Sequence, residues 1–170
     1  MKMYWTEIEN QSKKLGAILT QNQLTIATAE SCTGGGIAYA LTDIAGSSAY
    51  FNQSFVTYSN LAKQNLLGVS AKTLADYGAV SAQTVSEMVT GCLKNANADI
   101  ALVTSGIAGP GGGSEQKPVG LVYFGWQIKG TPPIVEHLIF NGSRTQVREQ
   151  AILHALTKAI KNLEKNIDTV

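Results

Sequence analysis

The sequence predicts an α/β fold built on a mixed, mostly parallel central sheet with helices on both faces. Three observations predict it. Short apolar, β-rich runs alternate with helical stretches through the first hundred residues, the pattern of parallel strands joined by helical crossovers. The run from Ile100 to Ser105 is apolar enough to lie in the middle of a sheet, covered on both sides. Two later β-rich runs, joined by a turn at Gly130 to Pro133, read as a hairpin and make the sheet mixed.

The elements follow in order. Residues 4–22 carry Ile8, Leu15, Ile18 and Leu19 at helical spacing. Leu24 to Ala29 is short and apolar and reads as a buried strand. Glu30 to Gly35 then forms a glycine-ended turn, and Gly36 to Thr42 a helix. Gly46-Ser47-Ser48 marks a loop, and Phe51 to Tyr58 a strand. Ser59 is placed to cap a helix running to Leu67. Ser70 to Tyr77 and Ser81 to Asn95 are two further helices opened by serines. After the Ile100–Ser105 strand comes a glycine-rich loop, Gly106 to Pro118. Val119 to Ile128 and Ile134 to Phe140 are the hairpin strands. Ser143 caps a last helix to about Glu164, and the final residues are expected to fray.

The chain of 170 residues is long enough for one domain with a sizeable core, and it shows no repeat and no linker. Hydrophobic residues make up 44% and charged residues 15%, ordinary for a globular protein. The net charge of +1 gives no broad field for nucleic acid or an acidic membrane. No apolar run is long enough to span a bilayer, and the N-terminus lacks a signal-peptide core. A cytoplasmic protein is expected. Cys32 and Cys92 have no CxxC spacing, and His137 and His154 lie far from both. Neither a disulfide framework nor a metal site is expected.

Ser31 is the sharpest chemical candidate. It follows a strand at the end where open α/β sheets bind ligands. Backbone N–H groups in the turn behind it can point at an anion, as an amide hydrolase needs for its oxyanion. Spacing alone leaves a second reading, in which Ser31 is only a helix cap. A serine nucleophile needs a base, and neither histidine lies in a loop near this turn. A lysine serves if it is neutral. An ordinary lysine, with a pKa of about 10.4, is unprotonated about once in 2,500 at pH 7. About 3 kcal/mol of environmental shift, within reach of burial, raises that to about one in ten. Lys63 stands among Leu61, Leu66 and Leu67; it is either this base or a solvated helix lysine. Tyr58, at the end of the same strand, is placed to relay a proton, hold substrate or simply pack. Ser114-Glu-Gln-Lys117 matches S-x-x-K by letters, but the neighbouring glycines and Pro118 argue against the helix that motif needs. Cys32 lacks a histidine partner and reads as a small core residue.

The second glycine cluster, Gly106 to Gly113, follows the central strand and suits a phosphate or carboxylate, or else is a flexible connector. It is neither a triphosphate loop nor a dinucleotide fingerprint. Arg144 and Arg148 share a face at the start of the last helix, against its dipole. An anion there would relieve the conflict; otherwise both are surface arginines.

Several longer stretches occur in one order: Thr28-Ala-Glu-Ser-Cys-Thr-Gly-Gly35, Gly46-Ser-Ser48, Val56-Thr-Tyr-Ser-Asn60 with Lys63, Gly78-Ala-Val-Ser81, Ser105-Gly-Ile-Ala-Gly-Pro110 through Lys117-Pro-Val-Gly120, and Gly142-Ser-Arg144 with Arg148. Together they resemble the CinA C-terminal family over nearly the whole chain, and in particular its stand-alone amidohydrolases. The resemblance implies a three-layer α/β/α fold and hydrolysis of nicotinamide mononucleotide to nicotinate mononucleotide and ammonia, without metal or cofactor. It implies Ser31 as nucleophile, Lys63 as base and Tyr58 as assistant, with the oxyanion held by backbone N–H groups of Thr33, Gly34 and Gly35. It implies substrate contacts from Ser47, Ser48, Ser105, Gly106, Ala108, Gly109 and Arg144. The family often has Gly-Asp-Arg where this chain has Gly142-Ser-Arg144, so the hold on Arg144 is in question. Larger relatives carry a further N-terminal domain, whose activity is not expected here. A homo-oligomer is the expectation for a small α/β enzyme; no nucleic-acid or membrane partner is expected. The competing reading is a non-catalytic nucleotide-binding module that acts through a protein partner in competence or recombination.

Overall fold

The structure, a computed structural model, describes residues 4–169. Five strands form one sheet: β1 (Ile26–Glu30), β2 (Phe51–Val56), β3 (Ile100–Gly106), β4 (Leu121–Ile128) and β5 (Ile134–Ile139). Six helices surround it: α1 (Trp5–Gln21), α2 (Gly36–Thr42), α3 (Asn60–Leu67), α4 (Ala71–Tyr77), α5 (Ala82–Ala96) and α6 (Arg144–Ile167). The strand order is β2-β1-β3-β4-β5. β1 pairs in parallel with β2 and β3, whereas β3–β4 and β4–β5 are antiparallel. The sheet is therefore mixed. Four strands share one direction, but parallel and antiparallel ladders are equal in number.

The period-2 alternation of strand side chains sets the layers. Ile26, Ile100, Leu102, Val122, Phe124 and Trp126 pack with α1, α2 and α6. Ala27, Ala29, Ala101 and Val103 face the other way, onto Leu67 of α3, Leu74 of α4 and Val85, Met88, Val89 and Cys92 of α5. This is the three-layer arrangement the sequence resemblance implied. Serine caps work as expected: Ser59, Ser70 and Ser81 each accept from a backbone N–H three residues on. Ser143 does the same within a reciprocal capping box with Gln146.

The departures are local. Leu24 and Thr25 belong to the α1–β1 connection, because the Leu24 N–H turns back to Leu19 and Thr25 bonds Asp99. Tyr58 lies beyond β2. Val119 and Gly120 precede β4, and Gly120 takes a φ of 92°. A 3-10 turn, Ser47–Ala49, occupies the expected loop. α6 runs three residues past Glu164, and residue 170 lies outside the described residues. Among the described residues no helix is long and apolar enough to cross a membrane.

Strand order decides where a site can form. From β1 the chain moves to β2 on one side, then crosses to β3 on the other. The carboxyl ends of β1 and β3 thus bound a topological switch point, where open α/β sheets bind ligands.

Candidate active site

β1 ends at Glu30, and the Ser31 N–H makes a last bond across to the Thr104 carbonyl of β3. The chain then turns sharply. The Gly34 N–H donates to the Ser31 carbonyl, and Gly34 and Gly35 take φ values of 59° and 91°. α2 begins at Gly36 with Gly35 in the cap position. Ser31 lies four residues ahead of that position, so the cap reading of Ser31 is incorrect. Glu30 caps the helix instead. Its buried carboxylate accepts from the Ile37 and Ala38 N–H groups at 2.9 and 2.8 Å and from the Thr33 hydroxyl at 2.6 Å. The capping charge holds the turn and exempts Ser31 from that duty.

Lys63 sits on the second turn of α3 and is only 1% exposed, so it is not a solvated helix lysine. Its Nζ donates to the Thr57 carbonyl at 2.8 Å and to Ser31 Oγ at 3.2 Å. β2 stops before Thr57, whose carbonyl is thereby turned onto the amine. Burial pushes the Lys63 pKa below its ordinary value of 10.5. Charge on the Cys32 sulfur would oppose this. That thiol is itself pushed up to about 12, first by burial and then by Glu30, so it is neutral at pH 7. Among the described ion pairs none involves Lys63.

A pocket of about 220 Å³ opens over this pair, lined by Ser31, Cys32, Tyr58, Lys63, Ala79, Val80, Ser105, Gly106, Ala108 and Arg144. Six of the residues anticipated from sequence beyond Ser31 therefore converge here. Ser105 is turned by a bond from its hydroxyl to the Ala79 carbonyl, 2.8 Å. Arg144 bridges the mouth, with Nη1 donating to the Gly109 carbonyl at 2.8 Å and Nη2 to the Tyr58 hydroxyl at 3.0 Å. Gly109 thus holds Arg144 rather than lining the pocket. Tyr58 lines the pocket with its hydroxyl accepting from Arg144, and it makes no hydrogen bond to Ser31 or Lys63. Ser143 caps α6 and leaves Arg144 to these two anchors.

Two further expectations are revised. Ser47 and Ser48 form their 3-10 turn at the start of β2, about 20 Å of strand away from the pocket end; within this chain they do not reach the site. The Gly34 N–H is engaged by the Ser31 carbonyl, so it is no oxyanion donor, and Gly34 and Gly35 line a different pocket. Arg148 braces the turn. Its Nε donates to the Cys32 carbonyl at 3.1 Å and its Nη2 to the Thr33 carbonyl at 3.0 Å. In a trans peptide the N–H opposes its carbonyl. Drawing the Cys32 carbonyl toward Arg148 therefore aims the Thr33 N–H away from it. That N–H has no hydrogen-bond partner among the described residues, whereas the Cys32 N–H acts on its own sulfur. Glu30, Ala79, Val80 and the bracing of Arg148 were not singled out from sequence. Glu30 lay inside a quoted motif, whereas the Arg148 contacts span 115 and 116 positions and leave no local signal.

The family model described as the CinA C-terminal domain matches residues 8–163. The chain is 52% identical over 155 residues to the nicotinamide-nucleotide amidohydrolase PncC of Enterobacter agglomerans, covering 91% of this chain and 94% of that one. It is 50% identical over 151 residues to PncC of Escherichia coli K12, with 89% and 92% covered. Among solved structures, the competence/damage inducible protein CihA of Agrobacterium tumefaciens superposes with a TM-score of 0.90 at 43% identity, over 93% of this chain and 96% of that one. With the same motifs in the same order on the same fold, this chain belongs to the CinA C-terminal domain family.

Proposed function

We propose that the chain is an amidohydrolase that converts nicotinamide mononucleotide to nicotinate mononucleotide and ammonia, with Ser31 as nucleophile and Lys63 as general base. One observation carries the reading: a buried amine, with no ion-pair partner and a lowered pKa, donates to the oxygen of a serine at the mouth of a pocket. The names of the two bacterial relatives supply the substrate.

Neutral Lys63 takes the Ser31 proton as Oγ attacks the carboxamide carbon. The oxyanion is held by the Thr33 N–H, which the Arg148 brace leaves free. Lysine ammonium returns its proton to the leaving nitrogen, ammonia departs, and an acyl-enzyme remains. Water, deprotonated by Lys63, then releases the acid and restores Ser31. Of the two arginines at the start of α6, Arg144 is the one that lines this pocket and so meets the substrate phosphate. At about 220 Å³ the pocket is smaller than the ~300 Å³ at the low end of ligand clefts, so it receives the pyridine ring while ribose and phosphate lie toward Arg144. The five-stranded sheet with its two helical layers acts as one catalytic domain.

No three His, Cys, Asp or Glu side chains gather as a metal site among the described residues, and the dyad chemistry requires none. Ammonia release from nicotinamide mononucleotide tests the proposal. Ser31→Ala and Lys63→Ala are each expected to lose on the order of 10³-fold or more in kcat, while a chelator leaves the rate unchanged. Wild-type-like turnover in either variant removes that residue from the mechanism. Tight mononucleotide binding without ammonia would instead mark a binding module.

A further inference from the structure

The turn that carries Ser31 has a second pocket on its other side. It is also about 220 Å³ and is lined by Trp5, Gly34 to Gly36, Tyr39, Thr145, Arg148, Glu149 and Ile152. None of these residues lines the Ser31–Lys63 pocket. Glu149 is the unusual member. It is 4% exposed, its Oε1 is wholly buried with no hydrogen-bond partner, and no described ion pair includes it. A buried carboxylate left without a donor is strongly disfavoured. The adjacent Arg148 does not relieve it, because its Nε and Nη2 are turned onto the Cys32 and Thr33 carbonyls. The same lining holds two aromatic rings, Trp5 and Tyr39, with centroids 5.4 Å apart and planes inclined by 38°.

A carboxylate acceptor beside two π faces is the chemistry that receives an ammonium group: N–H donors to the oxygens and positive charge against the rings. We propose that this pocket is a second ligand site, distinct from the Ser31–Lys63 pocket, which binds a small ammonium-bearing molecule with Glu149 as counter-ion and Trp5 and Tyr39 as walls. Two sources share that chemistry, the free ammonium ion and a primary amine. Gly34 to Gly36 and Arg148 belong to both this pocket and the turn that presents Ser31, so an occupant here touches the support of the nucleophile.

Tryptophan fluorescence tests the site without substrate, so the outcome is independent of whether Ser31 hydrolyses an amide. Trp126, the other tryptophan, is 1% exposed and bonded to the Ala155 carbonyl, which leaves Trp5 as the responsive one. Titration with ammonium chloride and with methylammonium chloride is expected to give a saturable change, absent with sodium, potassium or tetramethylammonium chloride at equal ionic strength. The tighter of the two active ligands identifies the source. Trp5→Phe removes the signal, and Glu149→Gln weakens binding at least tenfold. Tyr39→Ala, at an exposed position, weakens it severalfold and serves as the second variant should Glu149→Gln fail to fold. A response shared with potassium or tetramethylammonium, or native affinity in the variants that fold, overturns the proposal.

Discussion

Lys63 shows how one buried side chain links stability to chemistry. Its pKa in the folded chain lies below the ordinary 10.5, so between those two values the unfolded chain holds the extra proton. Stability therefore rises with pH across that window and falls as pH drops through it. A Lys63→Met variant lacks the linkage. Relative to the native chain it is expected to be more stable at pH 7 than at pH 10.5, as read from denaturant midpoints at both values. The opposite trend would mean that the folded protein keeps the amine charged. If Lys63 is the proposed base, turnover carries the same signature, because a base must be neutral to accept the serine proton: kcat/KM is expected to rise with pH toward the lowered pKa and level off above it. Local settings, a strand–glycine turn and a helix with neighbouring leucines, only raise Ser31 and Lys63 as candidates beside a cap and a solvated lysine, and it is the family resemblance that selects them. Their 3.2 Å meeting was not legible in the sequence, since it depends on two strands lying side by side. Glu30 escaped notice for a related reason. A glutamate that closes an apolar strand resembles a strand end, and only the fold shows it capping the helix seven and eight residues on.

Helices were the most legible elements, because serine caps and 3.6-residue periodicity are local signals. How closely they approach was hidden. α5 passes α3 at Gly91, where an added Cβ would overlap the Leu67 carbonyl. In the sequence, Gly91 reads only as a weak helix former within a long apolar stretch. In the fold it lets the backbone of the Lys63 helix seat against α5. Gly91→Ala is thus expected to destabilise the protein by about 3 kcal/mol, against the gain its helix propensity alone would give. It should also reduce turnover by displacing α3. A urea midpoint at or above the native value would show that α3 and α5 have room to separate. Strand ends were read less well than helix ends for a similar reason. Thr57 and Tyr58 continue the β-rich run, but the strand stops where the Thr57 carbonyl is drawn onto Lys63, a tertiary bond that overrides local preference.

At the scale of the molecule, the site belongs to no single element. Ser31 follows β1, Tyr58 and Lys63 follow β2, Ser105 and Gly106 end β3 with Ala108 just beyond it, and Arg144 opens α6. The sheet order that gathers them places β1 between β2 and β3, and sequence alternation alone does not fix that order. A substrate seated here bridges segments that unfolding would scatter, so binding must appear as global stability. In the Ser31→Ala variant, where the proposed mechanism allows no turnover, nicotinamide mononucleotide at about 100 times its Kd is expected to contribute ~2.7 kcal/mol. For a chain of this length that corresponds to a rise in Tm of roughly 5–10 °C. Adding Arg144→Ala to the same background removes the positive charge that spans Tyr58 and Gly109, and should shrink the shift at equal ligand concentration. A calorimetric scan distinguishes the outcomes. A ligand-independent Tm in a folded Ser31→Ala chain would separate these segments from substrate binding, whereas a full shift without Arg144 would move the phosphate to another anchor.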